Sequence, residues 1–174
     1  MSGLVPDGVL VPVGGLDKLV TFVSLLGSNK LKIAVVHDRG STPSQKLDDL
    51  VQQKLVERKK VFDYSLFRRP AADIETDLED LFRPQVYLDA FNTAFKKELG
   101  GKVVKLADLP RHPRIIERLN KWLVDNGIAL RKDGGFNHYR VAQALFPMIT
   151  IDNVDSKELE AFGQLFERVN EQLQ

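Results

Sequence analysis

Two hydrophobic rhythms divide this chain. From residue 9 to residue 65 short apolar runs alternate with amphipathic stretches, and beyond 65 the helical period takes over. VLVPV (9–13) reads as a short strand stopped by Gly14-Gly15. LDKLVTFVSLLG (16–27) has apolar residues at 16, 19, 20, 22, 23, 25 and 26, a broad helical face with Gly27 as C-cap. LKIAVVH (31–37) is a continuous apolar run, the pattern of a strand buried on both faces. STPSQKLDDLVQQKLVERKK (41–60) contains a helix with Ser44 as N-cap and apolar positions 47, 50, 51 and 55 on one side. KVFDYS (60–65) reads as a third strand. The order strand–helix–strand–helix–strand predicts a parallel sheet with crossover helices, an α/β fold.

The second half is predicted to be mostly helical. FRRPAADIETDLEDLF (67–82) is acidic and broken at Pro70, while PQVYLDAFNTAFKKELG (84–100) is a helix with Pro84 in its first turn and Gly100 at its end. KVVKLADLP (102–110) fits neither period cleanly. HPRIIERLNKWLVDNG (112–127) is helical, stopped by Gly127, and FNHYRVAQALFPMI (136–149) is a helix bent or ended at Pro147. DSKELEAFGQLFERVNEQL (155–173) opens on a capping box, with Asp155 as cap and Glu158 three residues on. The division expected is an α/β core over 1–82 and a helical C-terminal part over 83–174 packed on the same domain.

Composition narrows the chemistry. The 174 residues are 43% hydrophobic and carry a net charge of +1, so a real core is affordable and no global field announces a polyanionic partner. There is no cysteine, which excludes disulfides, zinc–thiolate sites and thiol catalysis. No apolar run is long enough for a membrane span, and MSGLVPDG does not read as a signal peptide; a cytoplasmic location is expected.

Asp38 ends the second predicted strand, and Glu75, Asp77, Glu79 and Asp80 follow the third. Adjacent strand ends in a parallel sheet lie about 4.8 Å apart, so carboxylates from neighbouring loops can converge on one hard cation. The competing reading is a turn at Asp38-Arg39-Gly40 and a solvated or helix-opening acidic run at IETDLEDLF. Gly14-Gly15 with Lys18 offers either phosphate-binding amides or a plain strand-to-helix turn. His37, His112 and His138 lack zinc-ligand spacing; His138, in GGFNHYR, is a proton-transfer group or phosphate contact, or a surface histidine. Arg68, Arg69, Arg111, Arg114, Arg131 and Lys132 would contact phosphates if they cluster.

Four stretches, in order, carry a family resemblance: VPVGGLDKLVTFVSLLGSNKLKIAVVHD, ADIETDLEDLFRPQVYLDAFN, GGFNHYRVAQALF and FGQLFERVNEQL. Together they resemble the TOPRIM region of the overcoming-lysogenization-defect (OLD) family of nucleases, over residues 9–173. The resemblance implies a topoisomerase–primase-type α/β fold with a helical elaboration, and Mg²⁺- or Mn²⁺-dependent cleavage of DNA. It implies Asp38, Glu79 and Asp80 as residues that hold or orient metal. It also sets Asp38, Glu79 and His138 at the reaction centre, His138 standing where similar proteins have lysine. An ABC-type ATPase domain or chain is the implied partner; no G-x-x-x-x-G-K-[ST] loop occurs here. Two features depart from the pattern: Gly40 stands at the second acid of D-x-D, and residues 1–8 contain no glutamate-bearing strand. A fragment or diverged form with an incomplete metal site is therefore expected, with a homodimer through an unpaired strand edge. The alternatives are a non-catalytic TOPRIM-like module that binds protein or DNA, within a defence system, and an α/β regulatory domain with a chance likeness.

Overall fold

A computed structural model describes residues 3–27, 31–70, 72–150 and 155–174. It is a mixed helix-and-sheet protein with six helices and a two-stranded parallel sheet among these residues. The chain divides into two compact units, Met1–Thr76 with Leu159–Gln174, and Asp77–Glu158. The division thus falls at 76/77 where the sequence pattern put it at 82/83, and the final helix belongs largely to the first unit. The reason lies in the acidic stretch: Asp77 and Asp80 bond to Arg114 and to the backbone of Ile115, within the second unit.

In the first unit α1 (Leu16–Gly27) and α2 (Gln45–Gln52) flank β1 (Val35–His37), which pairs in parallel with β2 (Val61–Asp63) in the register Val35–Val61, Val36–Phe62 and His37–Asp63. Val23, Val35, Leu47, Leu50 and Val56 form its buried cluster. The expected three-stranded sheet is corrected to two strands. Residues 9–13 have no regular structure, and Val9 and Leu10 are each 82% exposed. Strand propensity yields a strand only against a partner, and Pro12 removes one of the donors pairing would need. The helix expected within 41–60 runs over Gln45–Gln52; Lys54 beyond it takes a left-handed conformation (φ 57°), and Leu55, placed on its apolar side, lies outside it. Ser44 sits at the N-cap but makes no side-chain capping bond.

The second unit contains α3 (Pro84–Ala94), α4 (Ile115–Asp125) and α5 (His138–Leu145). Its core centres on Phe91, Phe95, Leu119, Leu123, Phe136 and Val141. The Phe91 and Phe136 rings meet edge-on at 5.1 Å. The predicted stop at Gly127 holds, whereas the helix expected over 84–100 ends its regular part at Ala94. At Gly127 (φ 65°) the Gly127 N–H donates to the Val124 carbonyl at 3.0 Å and Ile128 to Leu123 at 2.9 Å, the paired bonds of a left-handed helix end. Regular helix in α3 ends at Ala94, and turns carry the chain to a similar closure at Gly100. α5 ends at Leu145 and a short turn over Phe146–Met148 contains Pro147. The last helix, α6 (Ser156–Leu173), starts on the predicted capping box: Lys157 N–H donates to Asp155 Oδ1 at 2.8 Å, and Asp155 N–H to Glu158 Oε2 at 3.1 Å.

Candidate functional site

The carboxyl ends of two parallel strands are where α/β sheets place their ligands. In the first unit that edge carries Asp38, exposed and immediately after β1, and Asp63, the last residue of β2. Arg39 follows Asp38 and is fixed by an antiparallel bridge to Thr76, with N–H···O distances of 2.8 and 3.0 Å. Its guanidinium reaches Asp73 at 2.7 Å and Asp63 at 3.5 Å. Asp63 is further committed, since its Oδ1 accepts the Ser65 N–H at 2.9 Å and the Ser65 hydroxyl at 2.5 Å. His37 places Nδ1 2.7 Å from the Asp38 carbonyl oxygen. The edge therefore alternates charge, and Asp38 is an exposed residue on it. Arg39 and Asp63 were not singled out from sequence, yet the repeated pattern of an apolar run ending in Asp, VVHD and VFD, was there to find them. At Gly40 a Cβ would meet only the Thr42 carbonyl, at 3.8 Å, so the missing second acid is not excluded by space.

Glu79, Asp80 and His138 lie in the second unit. The turn Leu78–Leu81 presents them differently. Asp80 Oδ2 accepts the Asp77 N–H and Oδ1 accepts the Ile115 N–H, each at 2.8 Å. Asp80 thereby caps the start of α4, a position where a carboxylate also meets the positive end of the helix dipole. Glu79 faces His138, Oε1 to Nδ1 3.6 Å, and the His138 ring leans on Phe136 with centroids 4.8 Å apart. Two of the residues expected at a reaction centre are thus neighbours.

The same unit holds a buried carboxylate, Asp77, paired with the half-buried Arg114. Asp77 is 3% exposed, and its Oδ2 accepts from Arg114 Nε at 2.7 Å. Burial pushes the Asp77 carboxyl above the ordinary range, and Arg114 works against that rise. Tyr87 is buried as well, and burial raises its phenol, with the charges of Glu79, Asp77 and Asp80 adding to the effect. Among the described residues Asp77 Oδ1 and the Tyr87 hydroxyl have no hydrogen-bond partner.

The other nominated residues are mostly engaged locally. Arg68 donates to the Glu75 carbonyl at 3.3 Å, Arg69 pairs with Gln164 and lies 3.6 Å from Glu160, and Arg131 pairs with Asp133 at 2.5 Å. His112 Nδ1 accepts the Arg114 N–H at 3.1 Å, and Arg111 and Lys132 are exposed. Gly14 and Gly15 (φ 69° and 121°) turn the chain into α1, where Lys18 is exposed. Among the described residues no group of three or more His, Asp or Glu side chains is placed to hold a metal ion. No described helix is long and apolar enough to cross a membrane.

Comparison with known protein families, curated proteins and solved structures finds no match for this chain.

Proposed function

We propose that this chain is the TOPRIM region of an OLD-like, metal-dependent DNA endonuclease, in a form whose metal site has lost one acid at Gly40. The observation that supports this best is the position of Asp38: an exposed carboxylate directly after β1, at the carboxyl end of a parallel strand pair. The ordered sequence resemblance gives that position its meaning, since the same residue is the first acid of the family's D-x-D. Within the second unit, taken by itself, the Glu79–His138 pair is of the kind that moves a proton. Mg²⁺ or Mn²⁺ would supply Lewis-acid stabilisation of the phosphate when bound. With Gly40 in place of a carboxylate, weak binding and little cleavage are expected of the chain alone; in this reading it works with an ABC-type ATPase domain or chain.

The test is nicking of supercoiled plasmid in Mn²⁺ and in Mg²⁺. Gly40→Asp is expected to raise the metal-dependent nicking rate above that of the native sequence, and Asp38→Ala in the same background to abolish it. Equal rates for all three proteins would contradict the reading and favour a non-catalytic scaffold.

A further inference from the structure

Residues 9–13, VLVPV, are the apolar stretch of the first unit that its core leaves out. Val9 and Leu10 are each 82% exposed, Val11 and Pro12 are exposed, and Val13 is half-buried. Among the described residues none of the five makes a backbone hydrogen bond. The stretch is nonetheless held at both ends. Before it, the Asn170 side chain of α6 donates to the Gly3 carbonyl at 2.7 Å and accepts the Val5 N–H at 3.0 Å, and Gly8 N–H closes a turn on the Val5 carbonyl at 2.8 Å. After it, Gly14 and Gly15 turn the chain into α1, where Leu19 N–H donates to the Gly15 carbonyl at 3.2 Å. None of the five residues has a positive φ, so the span extends into a strand without a left-handed residue to unwind.

Two features of the span decide what fits it. Val-Leu-Val-Pro-Val reads nearly the same in both directions, with Val11 at its centre. Alternate residues of a strand present their N–H and C=O groups to opposite edges, and Pro12 has no N–H. The edge made by residues 10 and 12 is therefore one donor short, while the edge made by 9, 11 and 13 is complete. An antiparallel partner centred on Val11 uses only the complete edge. Val9 then stands opposite Val13 of the second copy and Val11 opposite Val11, and each such pair exchanges both of its N–H···O bonds, about six in all. Pro12 falls where no bond crosses the pair. No charged residue lies between Asp7 and Asp17, so the span carries no charge to repel its own copy. The incomplete edge, with its proline, stops the addition at two chains.

We propose that Val9–Val13 is a self-association strand, which pairs antiparallel with the same span of a second copy about a two-fold axis at Val11. Such a contact is isologous: each copy gives and receives the same groups. Any extended peptide can bond to an open strand edge; the near-palindrome, which sets the complete edge of one copy against the complete edge of the other, is what a second copy adds. The edge is separate from those of β1 and β2, and the inference stands or falls independently of the metal reading.

The experiment is sedimentation of the full chain over a wide concentration range, joined to cysteine cross-linking. A contact between two five-residue strands belongs with small, transient interfaces, and a dissociation constant of about 100 μM is expected. Val11→Pro removes a bonded N–H and is expected to weaken association about tenfold or more, whereas Leu10→Pro removes one that faces away and is expected to change it by less than about threefold. The chain has no native cysteine, so a single introduced thiol reports its own position. Val11→Cys places the two thiols on residues about 5.5 Å apart across the axis, and a short thiol cross-linker is expected to join them. Val9→Cys places its two thiols on residues about 14 Å apart and is expected to cross-link about fivefold less. The substituted residues are exposed, and unchanged far-ultraviolet circular dichroism would show that the variants remain folded. A monomer across the whole range overturns the proposal and leaves the edge to a chain of different sequence. Association that Val11→Pro leaves intact, or equal cross-linking through Val9→Cys and Val11→Cys, overturns it as well.

Discussion

Phe91→Ala is expected to destabilise the second unit by about 3–5 kcal/mol. Phe91 is fully buried, and it contacts Phe95 and Phe136 with ring centroids 5.1 Å away in each case. Truncation removes the transfer free energy of the ring, leaves a cavity, and ends two aromatic contacts worth about 0.5–1.5 kcal/mol each beyond their area. The single tryptophan, Trp122, belongs to the same buried cluster, so its fluorescence in a urea titration reports on this unit. Phe146→Ala is the matched control: at 84% exposure its effect is expected within about 0.5 kcal/mol. Equal effects of the two substitutions would mean that the core is not organised around the phenylalanine cluster.

Arg114→Ala is expected to cost a similar amount, about 3–5 kcal/mol at neutral pH, for a different reason. Arg114 supplies the 2.7 Å bond to the buried carboxylate of Asp77, whose other oxygen has no partner among the described residues. Without the guanidinium a buried charge stands uncompensated. The sign of the pH dependence follows from the direction of the shift. Burial raises the folded-state pKa of Asp77 above its ordinary value of 3.8 even with Arg114 present, and loss of Arg114 raises it further. A carboxyl raised on folding binds its proton more tightly in the native state, so the native state gains as pH falls through the folded-state pKa. The deficit of the variant is therefore largest at neutral pH and shrinks as the pH is lowered toward 3.8. A deficit independent of pH over that range would show that Arg114 acts through packing alone.

The helices of the second unit were legible because their signals are local. Apolar positions at 115, 116, 119, 122 and 123 mark one face of α4, and Gly127 supplies the left-handed stop that face requires. The capping box at Asp155 and Glu158 is legible for the same reason: both halves lie within one turn. What the sequence did not reveal is whatever depends on a distant partner. VLVPV has the pattern of a strand, but no described strand pairs with it, and two of its valines and its leucine remain exposed. Asp80 reads as one of an acidic pair, while its capping of Ile115 depends on a helix 35 residues away. Arg114 reads as a free cation among other basic residues until the fold buries Asp77 against it. The Glu79–His138 proximity belongs to the same class, since 59 positions separate the two and nothing local joins them.

The proposed lineage turns on whether the carboxylate after β1 is a metal ligand, and Mn²⁺ binding measures that directly, without requiring catalysis. The native chain, Asp38→Ala and Gly40→Asp would be titrated with Mn²⁺ alone, followed by electron paramagnetic resonance of the free ion. The account predicts weak binding by the native chain, its loss in Asp38→Ala, and affinity tighter by about a factor of ten in Gly40→Asp, where a second carboxylate joins the first. Binding that is the same in all three proteins would contradict it, and Asp38 would then be a turn residue at the end of a strand.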